Sequence, residues 1–477
     1  MNSTTNSNET SRLSGADTRL SMNRVVLGWA FGAVFIQIAT GAVYASFARQ
    51  LGASEAVFGF LSGVNPLLGF LQIPAARMLE GRFKARSMML WAGMFSRTLW
   101  VLAALLPFFH LYFPALVPRE AMLPTFIACV LLSGVGQAFT GPSFMTWMSE
   151  LVPDRVGPSF WARRAQVGTF AAIFAVVVGG FIADQAGTIK EWSAGEFPPL
   201  LTYSVLLAIA SVCGVLDIAM FIGVKEKPAA KALSAACDKE IAPFFASFRE
   251  ALRERAVRNY LIFIAVSMMG FASTGPLLWL FCLEWLEWDK TQTGLLLTIC
   301  PLLGMAVSAK WWGIIAKAHG TRPLMRFASL GLVLVPIGWF FALPTSQIGL
   351  GVMLFVSGIL VMPYEISNFH FMTRAAPHLP RPTLTALFSI CAGTSFALTS
   401  WGAGALAGQF QGFHLEIYGF SLINYHLIFV FSFVVRLVNA LAIAPRLENQ
   451  TPSTTREAMN EISENLAESL RISRFRI

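Results

Sequence analysis

Long apolar runs recur along almost the whole chain, and they set the strongest limit on its fold. Each run has about 20 residues, the length that a helix needs to cross about 30 Å of hydrocarbon. We number them as spans 1 to 12, and they lie at 25–48, 57–76, 87–107, 122–147, 160–183, 201–224, 259–282, 292–312, 324–343, 348–369, 383–407 and 420–443. Charged residues make up 13% of the chain, about half of the roughly 25% that a soluble domain carries. The sequence therefore predicts an all-α polytopic membrane protein embedded in a lipid bilayer, and it excludes a single soluble core.

Lysine and arginine are concentrated in alternate gaps between the spans. One set of gaps holds the cluster 77–86 and the long segment between spans 6 and 7, whereas the opposite set holds only Arg49, Arg119, Lys190 and Lys290. By the positive-inside rule, this bias places both termini and the long segment in the cytoplasm. Topology thus accounts for the net charge of +9. We expect no nucleic-acid partner, because the basic residues are not gathered on one amphipathic face.

The spans fall into two sets of six, separated by the only long charged segment inside the chain. We predict a disordered cytoplasmic N-terminal tail at 1–24, an N-terminal six-helix bundle at 25–225, a cytoplasmic linker with an amphipathic helix at 226–257, a C-terminal six-helix bundle at 258–446 and a cytoplasmic C-terminal tail at 447–477. The first span lacks the short core and cleavage site of a secretory signal, so we expect it to stay attached. The six cysteines show no paired or metal-like spacing, and no metal or other cofactor is expected.

A short basic loop occurs at the same place in both halves, between the second and third spans of each set of six. The copies read "RMLEGRFKARSMML" and "GIIAKAHGTRPLM". This repetition predicts two parallel six-helix bundles, an architecture that one class of secondary transporters uses.

At this point the sequence resembles the major facilitator superfamily, across nearly the whole chain between the two tails. The family form of the loop is Gly, three residues, Asp, two residues, Gly, one residue and a basic residue. The second copy keeps Gly313, Gly320 and Arg322, whereas in the first copy only Arg86 fits well. The segment "WMSELVPDRVGPSFWARR" resembles the family's connection between the fourth and fifth helices. The resemblance implies coupling or gating roles for Glu80, Arg86, Glu150, Arg164, Lys317 and Arg322.

Two departures from the family pattern bear on mechanism. Many proton-driven members carry an Arg three residues before a Gln-Gly pair in the fourth helix, where this chain has Gly134 before Gln137. Drug antiporters carry a Gly-Pro signature in the fifth helix, where this chain has Gly179 and Gly180 without a Pro. The first departure disfavours a proton antiporter of that type, and the second removes the best sequence support for drug efflux.

Three charged residues lie deep inside predicted spans. Arg97 is roughly 15 Å into span 3 and Asp217 roughly 10 Å into span 6, at 1.5 Å per residue. In the superfamily these two helices are neighbours on the outer flank of one bundle, so we predict a structural ion pair between them. Arg436 in span 12 has two alternative partners, helix-end carbonyls or Glu365.

The resemblance also implies a central cavity lined mainly by spans 1, 4, 7 and 10. Polar residues of these spans and of span 2 are candidate substrate ligands, and the alternative for each is hydrogen bonding between helices. The candidates are Gln37, Thr40, Tyr44, Asn65, Gln137, Thr140, Ser273, Tyr364 and Asn368. Glu365, next to the helix-perturbing Pro363, is the best carboxylate for proton coupling.

The sequence thus predicts a secondary active or facilitative transporter that moves a small solute by alternating access. A neutral hydroxylated, sugar-like solute is favoured, since an organic anion would require an Arg or Lys at mid-cavity. The alternatives are efflux of amphipathic compounds or a non-transporting membrane sensor or scaffold with the same fold. Coupling to H⁺ or Na⁺ and uniport both stay open. We expect no enzymatic activity, a monomer, and residence in the plasma (inner) membrane.

Overall fold

A computed structural model describes residues 15–81, 83–153, 156–193, 195, 198–224, 244–374, 381–417 and 420–447. Within these residues, 12 helices are long and apolar enough to cross a membrane. They confirm the prediction of twelve membrane-spanning helices, and the helix nearest each predicted span keeps that span's number. Their bounds are Ala16–Thr40, Glu55–Leu79, Ala85–Tyr112, Arg119–Met148, Ser159–Asp184, Pro199–Gly223, Arg255–Trp285, Lys290–Ala316, Thr321–Phe340, Gln347–Asn368, Leu384–Gln409 and Asn424–Arg446.

The chain divides into two compact units. Unit 1 comprises Met1–Ser54, Leu67–Ile241 and Asp289–Gly294, and unit 2 comprises Glu55–Pro66, Ala242–Trp288 and Leu295–Ile477. Most of each predicted six-helix set falls in one unit. The exceptions are the first part of span 2, which belongs to unit 2, and the first turn of span 8, which belongs to unit 1. The exact domain boundaries predicted above remain a prediction.

Unit 1 is built from helices that pack lengthwise around spans 1, 3 and 6. Its helices are Gly15–Thr40, Ala42–Gln50, Gln72–Gly81, Ala85–Tyr112, Arg119–Leu151, Gly157–Asp184, Ala186–Trp192, Pro199–Met220 and Lys290–Gly294, with 3-10 turns at Gly69–Leu71 and Phe221–Gly223. The helix of span 1 ends at Thr40, before the end of the predicted run 25–48, and a second helix, Ala42–Gln50, follows Gly41 and buries Tyr44 and Phe47. A core of large side chains, including Trp147, lies between spans 1, 4 and 6.

Unit 2 repeats this arrangement around spans 7, 9 and 12. Its α-helices are Glu55–Leu68, which runs two residues past Pro66, Phe244–Arg253, Arg255–Thr274, Leu277–Leu280, Cys300–His319, Thr321–Leu332, Leu334–Phe340, Gln347–Arg374, Arg381–Gln409 and Asn424–Val438. π-Helical segments occupy Phe281–Trp285, Leu295–Ile299 and Asn439–Ile443, and a 3-10 turn occupies Ala444–Arg446. A small antiparallel hairpin, His414–Ile417 with Phe420–Ile423, precedes span 12.

Span 9 is broken at Val333 by a proline one turn further on. The Leu332 carbonyl would normally accept the amide hydrogen of residue 336, but Pro336 has none. The helix Thr321–Leu332 therefore ends, and Leu334–Phe340 begins. The break leaves a carbonyl inside the bundle that needs another donor.

The structure also bears on the segments predicted to flank the bundles. Residues 15–24, predicted as part of a disordered tail, are helical, and Asp17 lies in the first turn, where an acidic side chain favours the helix. The helix Phe244–Arg253 falls within the predicted linker, and its Ala251 is fully buried against unit 2. Residues 225–243 and the tail 448–477 lie outside the described residues.

Candidate functional site

Three charged side chains inside unit 1, those of Asp217, Arg97 and Arg164, interact electrostatically through space. Asp217 and Arg97 are almost completely buried, at 7% and 8% exposure, and Arg164 is half-buried. The Asp217 carboxylate faces span 1 at Gly32, where an added Cβ would come within 2.6 Å of Oδ2. It interacts through space with both guanidinium groups.

The predicted pair between Arg97 and Asp217 is therefore a longer-range interaction rather than a direct contact. Within the described residues, neither arginine forms a direct ion pair or hydrogen bond with Asp217. Instead, the guanidinium of Arg97 lies over the ring of Phe35, at 4.1 Å from its centre. The reason is geometric: the Arg97 side chain packs against Gly214, one turn before Asp217 on span 6.

Arg164 on span 5 lies among three aromatic rings. Its guanidinium carbon is 3.9 Å from the ring centre of Trp29, 5.1 Å from that of Phe144 and 5.6 Å from that of Trp161. Gly168, one turn along span 5, leaves room for the Trp29 indole. The π faces of these rings stabilise a cation, so this aromatic cage holds the guanidinium in place.

Arg436 of unit 2 is half-buried, and backbone carbonyls accept hydrogen bonds from its guanidinium. Arg436 donates through Nε and Nη2 to the Gly270 carbonyl at 3.2 and 3.1 Å, and through Nη1 to the Leu332 carbonyl at 3.2 Å. The latter is the carbonyl that Pro336 leaves without its helical donor. Of the two predicted partners, the helix carbonyls are therefore the ones used, and Glu365 is exposed.

The two halves place a guanidinium at corresponding positions but supply it from different helices. Arg436 lies 4.6 Å from the ring centre of Phe271, as Arg97 lies over Phe35. The same sequence offset separates Phe35 from Phe271 as separates Arg86 from Arg322. The first half uses an arginine of span 3, and the second half uses one of span 12.

Four of the candidate ligands are buried inside a unit, which favours a packing role. Tyr44 lies between Trp100 and Phe126, with ring centres at 6.0 and 6.1 Å. Thr140 donates to the Gly136 carbonyl at 2.9 Å. Tyr364 and Ser273 are likewise buried, at 3% and 0% exposure. Their assignment as substrate ligands remains a prediction.

The other five candidates are half-buried or exposed. Thr40, Asn65 and Gln137 are exposed, and Gln37 and Asn368 are half-buried. Thr40 donates to the Ile36 carbonyl at 2.8 Å, and the Asn368 side chain accepts a hydrogen bond from the Tyr260 hydroxyl. An amide cannot face hydrocarbon without a large cost. The exposed amides therefore indicate faces of the units that contact water or protein.

The basic residues of the repeated loop cap helix ends. Arg86 donates through Nη2 to the Ile222 carbonyl at 2.7 Å, at the end of span 6. Arg322 does the same to the Pro445 carbonyl at 2.7 Å, at the end of span 12. Cations at helix C-termini satisfy free carbonyls and favour the helix dipole. The side chains of Glu80, Glu150 and Lys317 lie outside the described residues, so gating by these loops remains a prediction.

Asp184, the last residue of span 5, was not predicted as a functional residue. It accepts hydrogen bonds from the amides of Lys290 and Thr291 at 2.7 and 3.1 Å and from the Thr291 hydroxyl at 2.7 Å. Its carboxylate also lies 3.6 Å from the Lys290 ammonium. Asp184 thus caps the first turn of span 8 from another helix, and nothing local in either segment signals this pairing.

Glu55, at the start of span 2, is a second acidic residue that sequence reasoning did not select. Its side chain is 3% exposed, and it accepts a hydrogen bond from the Gln411 amide at 2.6 Å. Gly404 of span 11 packs directly on the backbone of Glu55. The close approach of spans 2 and 11 therefore buries this carboxylate beside an amide donor.

The family comparison agrees with this architecture. The family model described as Major Facilitator Superfamily matches residues 26–400. The chain belongs to the major facilitator superfamily. The superfamily consists of transporters, and the chain is accordingly a multi-pass membrane transporter rather than an enzyme. No curated protein matches the chain significantly at the sequence level.

Solved structures of other transporters share the fold. The nucleoside transporter NupG has a TM-score of 0.62 at 11% identity, covering 91% of this chain and 100% of that one. A bacterial homologue of the human lysosomal transporter Spinster has a TM-score of 0.64 at 14% identity, covering 92% and 100%. The D-xylose-proton symporter has a TM-score of 0.63 at 14% identity, covering 91% and 99%. Identities this low establish the fold alone.

Proposed function

We propose that this transporter moves a small hydroxyl-rich solute, such as a sugar, by alternating access. The observation that carries the proposal is the exposure of Gln137 in span 4 and Asn65 in span 2, two amides within apolar spans. An amide both donates and accepts hydrogen bonds. It therefore complements a hydroxyl group, which also does both.

The distribution of acidic groups supports transport without an obligatory proton relay. Glu365 is exposed near one end of span 10, and it is the only acidic residue within that span. Spans 1 and 4 hold acidic residues only near their ends, Asp17 and Glu120. Uniport, or coupling to a cation such as Na⁺, is consistent with this distribution. We further propose that the protein works as a monomer in the plasma (inner) membrane.

Uptake into proteoliposomes tests the proposed function. The panel contains labelled sugars, nucleosides and amphipathic cations, each measured with and without an outward-directed excess of the unlabelled solute. We expect saturable counterflow of at least one hydroxylated solute. Transport of amphipathic cations alone would favour efflux. If the folded protein transports none of the solutes in the panel, a sensor or scaffold is favoured.

Two variants connect the transport assay to the proposed residues. Gln137→Ala should reduce uptake of the hydroxylated solute about tenfold or more, since a buried hydrogen bond to a ligand is lost. Gln347→Ala removes an amide at the end of span 10, bonded to the Pro344 carbonyl at 3.4 Å, and should leave uptake unchanged. Equal effects of the two substitutions would contradict the role of Gln137. Glu365→Gln and external acidification should both leave uptake unchanged if no proton is coupled.

A further inference from the structure

Two adjacent arginines at the start of span 5 take different directions. Arg163 is exposed and donates to the Asn23 side chain at 3.2 Å. Asn23 adjoins Arg24, whose guanidinium donates to the Gly223 carbonyl at the end of span 6. Arg163 thus lies at the level of the helix ends, where a basic residue of a membrane protein usually lies.

Arg164 instead reaches deeper into unit 1. Its guanidinium lies over Trp29, six residues beyond Asn23 on span 1, which is about 9 Å further along the helix axis. An arginine that only anchors the protein at the membrane surface would extend toward water, as Arg163 does. The direction of Arg164 therefore needs a different explanation.

The guanidinium of Arg164 has unused hydrogen-bonding capacity. Its Nε is buried without a partner, and within the described residues the side chain makes neither a hydrogen bond nor an ion pair. A guanidinium carries five N–H donors in a planar fork that matches two oxygens of a carboxylate or phosphate. The aromatic cage fixes the plane of the group but accepts none of these hydrogens in the way an anionic oxygen does.

The local charge balance also favours an anion. Asp217 interacts through space with both Arg97 and Arg164, so within the described part of the chain these three groups together carry one net positive charge. An uncompensated charge inside a membrane protein is costly and is typically a functional group. Binding of one singly charged anionic group at Arg164 would neutralise the cluster.

We propose that Arg164 binds an anionic group, a carboxylate or a phosphate, of the transported solute. The inference rests on the proposed function and refines it, since the solute then combines hydroxyl groups with one acidic group. It also revises the sequence argument for a neutral solute, which rested on an organic anion requiring an Arg or Lys at mid-cavity. The aromatic cage and Asp217 position the guanidinium, and the acidic group of the solute accepts its N–H donors.

Matched pairs of ligands separate the acidic group from the hydroxyl groups. The full-length protein in lipid nanodiscs is titrated with D-glucose against D-glucuronate, and with glycerol against glycerol 3-phosphate, at constant ionic strength. Binding is measured as the rise in Tm. We expect the acidic member of at least one pair to bind about tenfold or more tightly than its neutral counterpart, because a charge-assisted bidentate contact is added. The pair that shows this preference distinguishes a carboxylate from a phosphate.

Variants of the two adjacent arginines provide the decisive comparison. Arg164→Gln should abolish the preference for the acidic ligand, Arg164→Lys should retain a smaller preference, and Arg163→Gln should behave as the unaltered protein. No preference in the unaltered protein, or equal losses in Arg163→Gln and Arg164→Gln, would overturn the proposal. Binding of the neutral ligands alone would overturn it while leaving transport of hydroxylated solutes intact. If Glu150→Gln abolishes the preference as fully as Arg164→Gln, Arg164 serves an ion pair instead, and the proposal is wrong.

Discussion

Because Asp184 caps span 8, its removal should lower the free energy needed to open the first turn of that helix. Substitution of Asp184 by Ala removes every acceptor that the carboxylate offers to Lys290 and Thr291. Two backbone amides at the start of span 8 then lose their partners. Since the first amides of a helix have no partners within the helix, we expect this turn to open more often.

The expected size of the effect follows from the contacts that are lost. A capping side chain contributes about 0.5–2 kcal/mol, and hydrogen bonds with a charged partner contribute about 1.5–3 kcal/mol each. The ion pair with Lys290 adds only about 0–1 kcal/mol, because the two side chains are 21% and 16% exposed. The contributions share one carboxylate and are not additive, so we expect a total of about 2–4 kcal/mol for local opening. This range corresponds to about 30- to 700-fold faster exchange.

Hydrogen–deuterium exchange of the peptide that contains Lys290 and Thr291 measures this opening directly. Asp184→Asn keeps one acceptor oxygen, and Asn caps helices about as well as Asp, so its exchange should rise far less than that of Asp184→Ala. Asp289→Asn is the matched control, because Asp289 is exposed and directly precedes the helix. The reasoning is refuted if Asp289→Asn accelerates exchange as much as Asp184→Ala, or if Asp184→Ala changes nothing.

Three further predictions concern charged residues inside the units and their surroundings. Gly32→Ala places a Cβ 2.6 Å from Asp217 Oδ2 and should destabilise the protein by about 1–3 kcal/mol. Gly402→Ala is the control, because a Cβ at Gly402 meets no heavy atom within 4 Å, and it should not lower Tm. Equal Tm values for the two variants would contradict this packing. Arg322→Gln removes the hydrogen bond from Arg322 to the Pro445 carbonyl. It should lower Tm by the equivalent of about 1–2 kcal/mol and leave uptake per folded molecule unchanged. A stable variant that does not transport would indicate a gating role instead. Arg436→Met removes the donor to the Leu332 carbonyl, whereas the Gly270 carbonyl keeps the Ser432 and Ser273 hydroxyls as donors. The substitution should reduce the monodisperse peak in size-exclusion chromatography, with Arg436→Lys intermediate. An unchanged peak would argue against the bond to the Leu332 carbonyl.

The Asp184 cap also shows where prediction from sequence ends. By position, Asp289 is the residue that a sequence reading would choose as the cap of span 8, since it immediately precedes the helix. The structure uses Asp184, which is distant in sequence. Which of two carboxylates reaches the amides depends on the packing of span 5 beside the first turn of span 8, where Gly180 lets Thr291 approach closely.

For the intramembrane charges, too, the sequence shows the position of each residue but not its partner. Their presence at depth in spans 3, 6 and 12 is readable from the sequence, because depth follows from the residue count along a helix. The partners of these charges cannot be read from the sequence. Arg97 interacts with Asp217 only through space, and Arg436 donates to backbone carbonyls. The Leu332 carbonyl is available only because Pro336 removes its helical donor, and Arg436 reaches it only because spans 9 and 12 are neighbours.

The sequence by itself determined the twelve membrane-spanning helices, the two-fold repeat and the membership in a transporter family. These properties are local or periodic: the length of an apolar run fixes whether it crosses the bilayer, and a repeated loop fixes the correspondence of the halves. Only the tertiary structure decided that Arg164 lies in an aromatic cage while Arg163 stays at the helix ends, and that Arg86 and Arg322 cap the last span of each half. The physical reason is that a side chain's partner depends on which helices pack together and at what rotation, and neither is encoded within a single span.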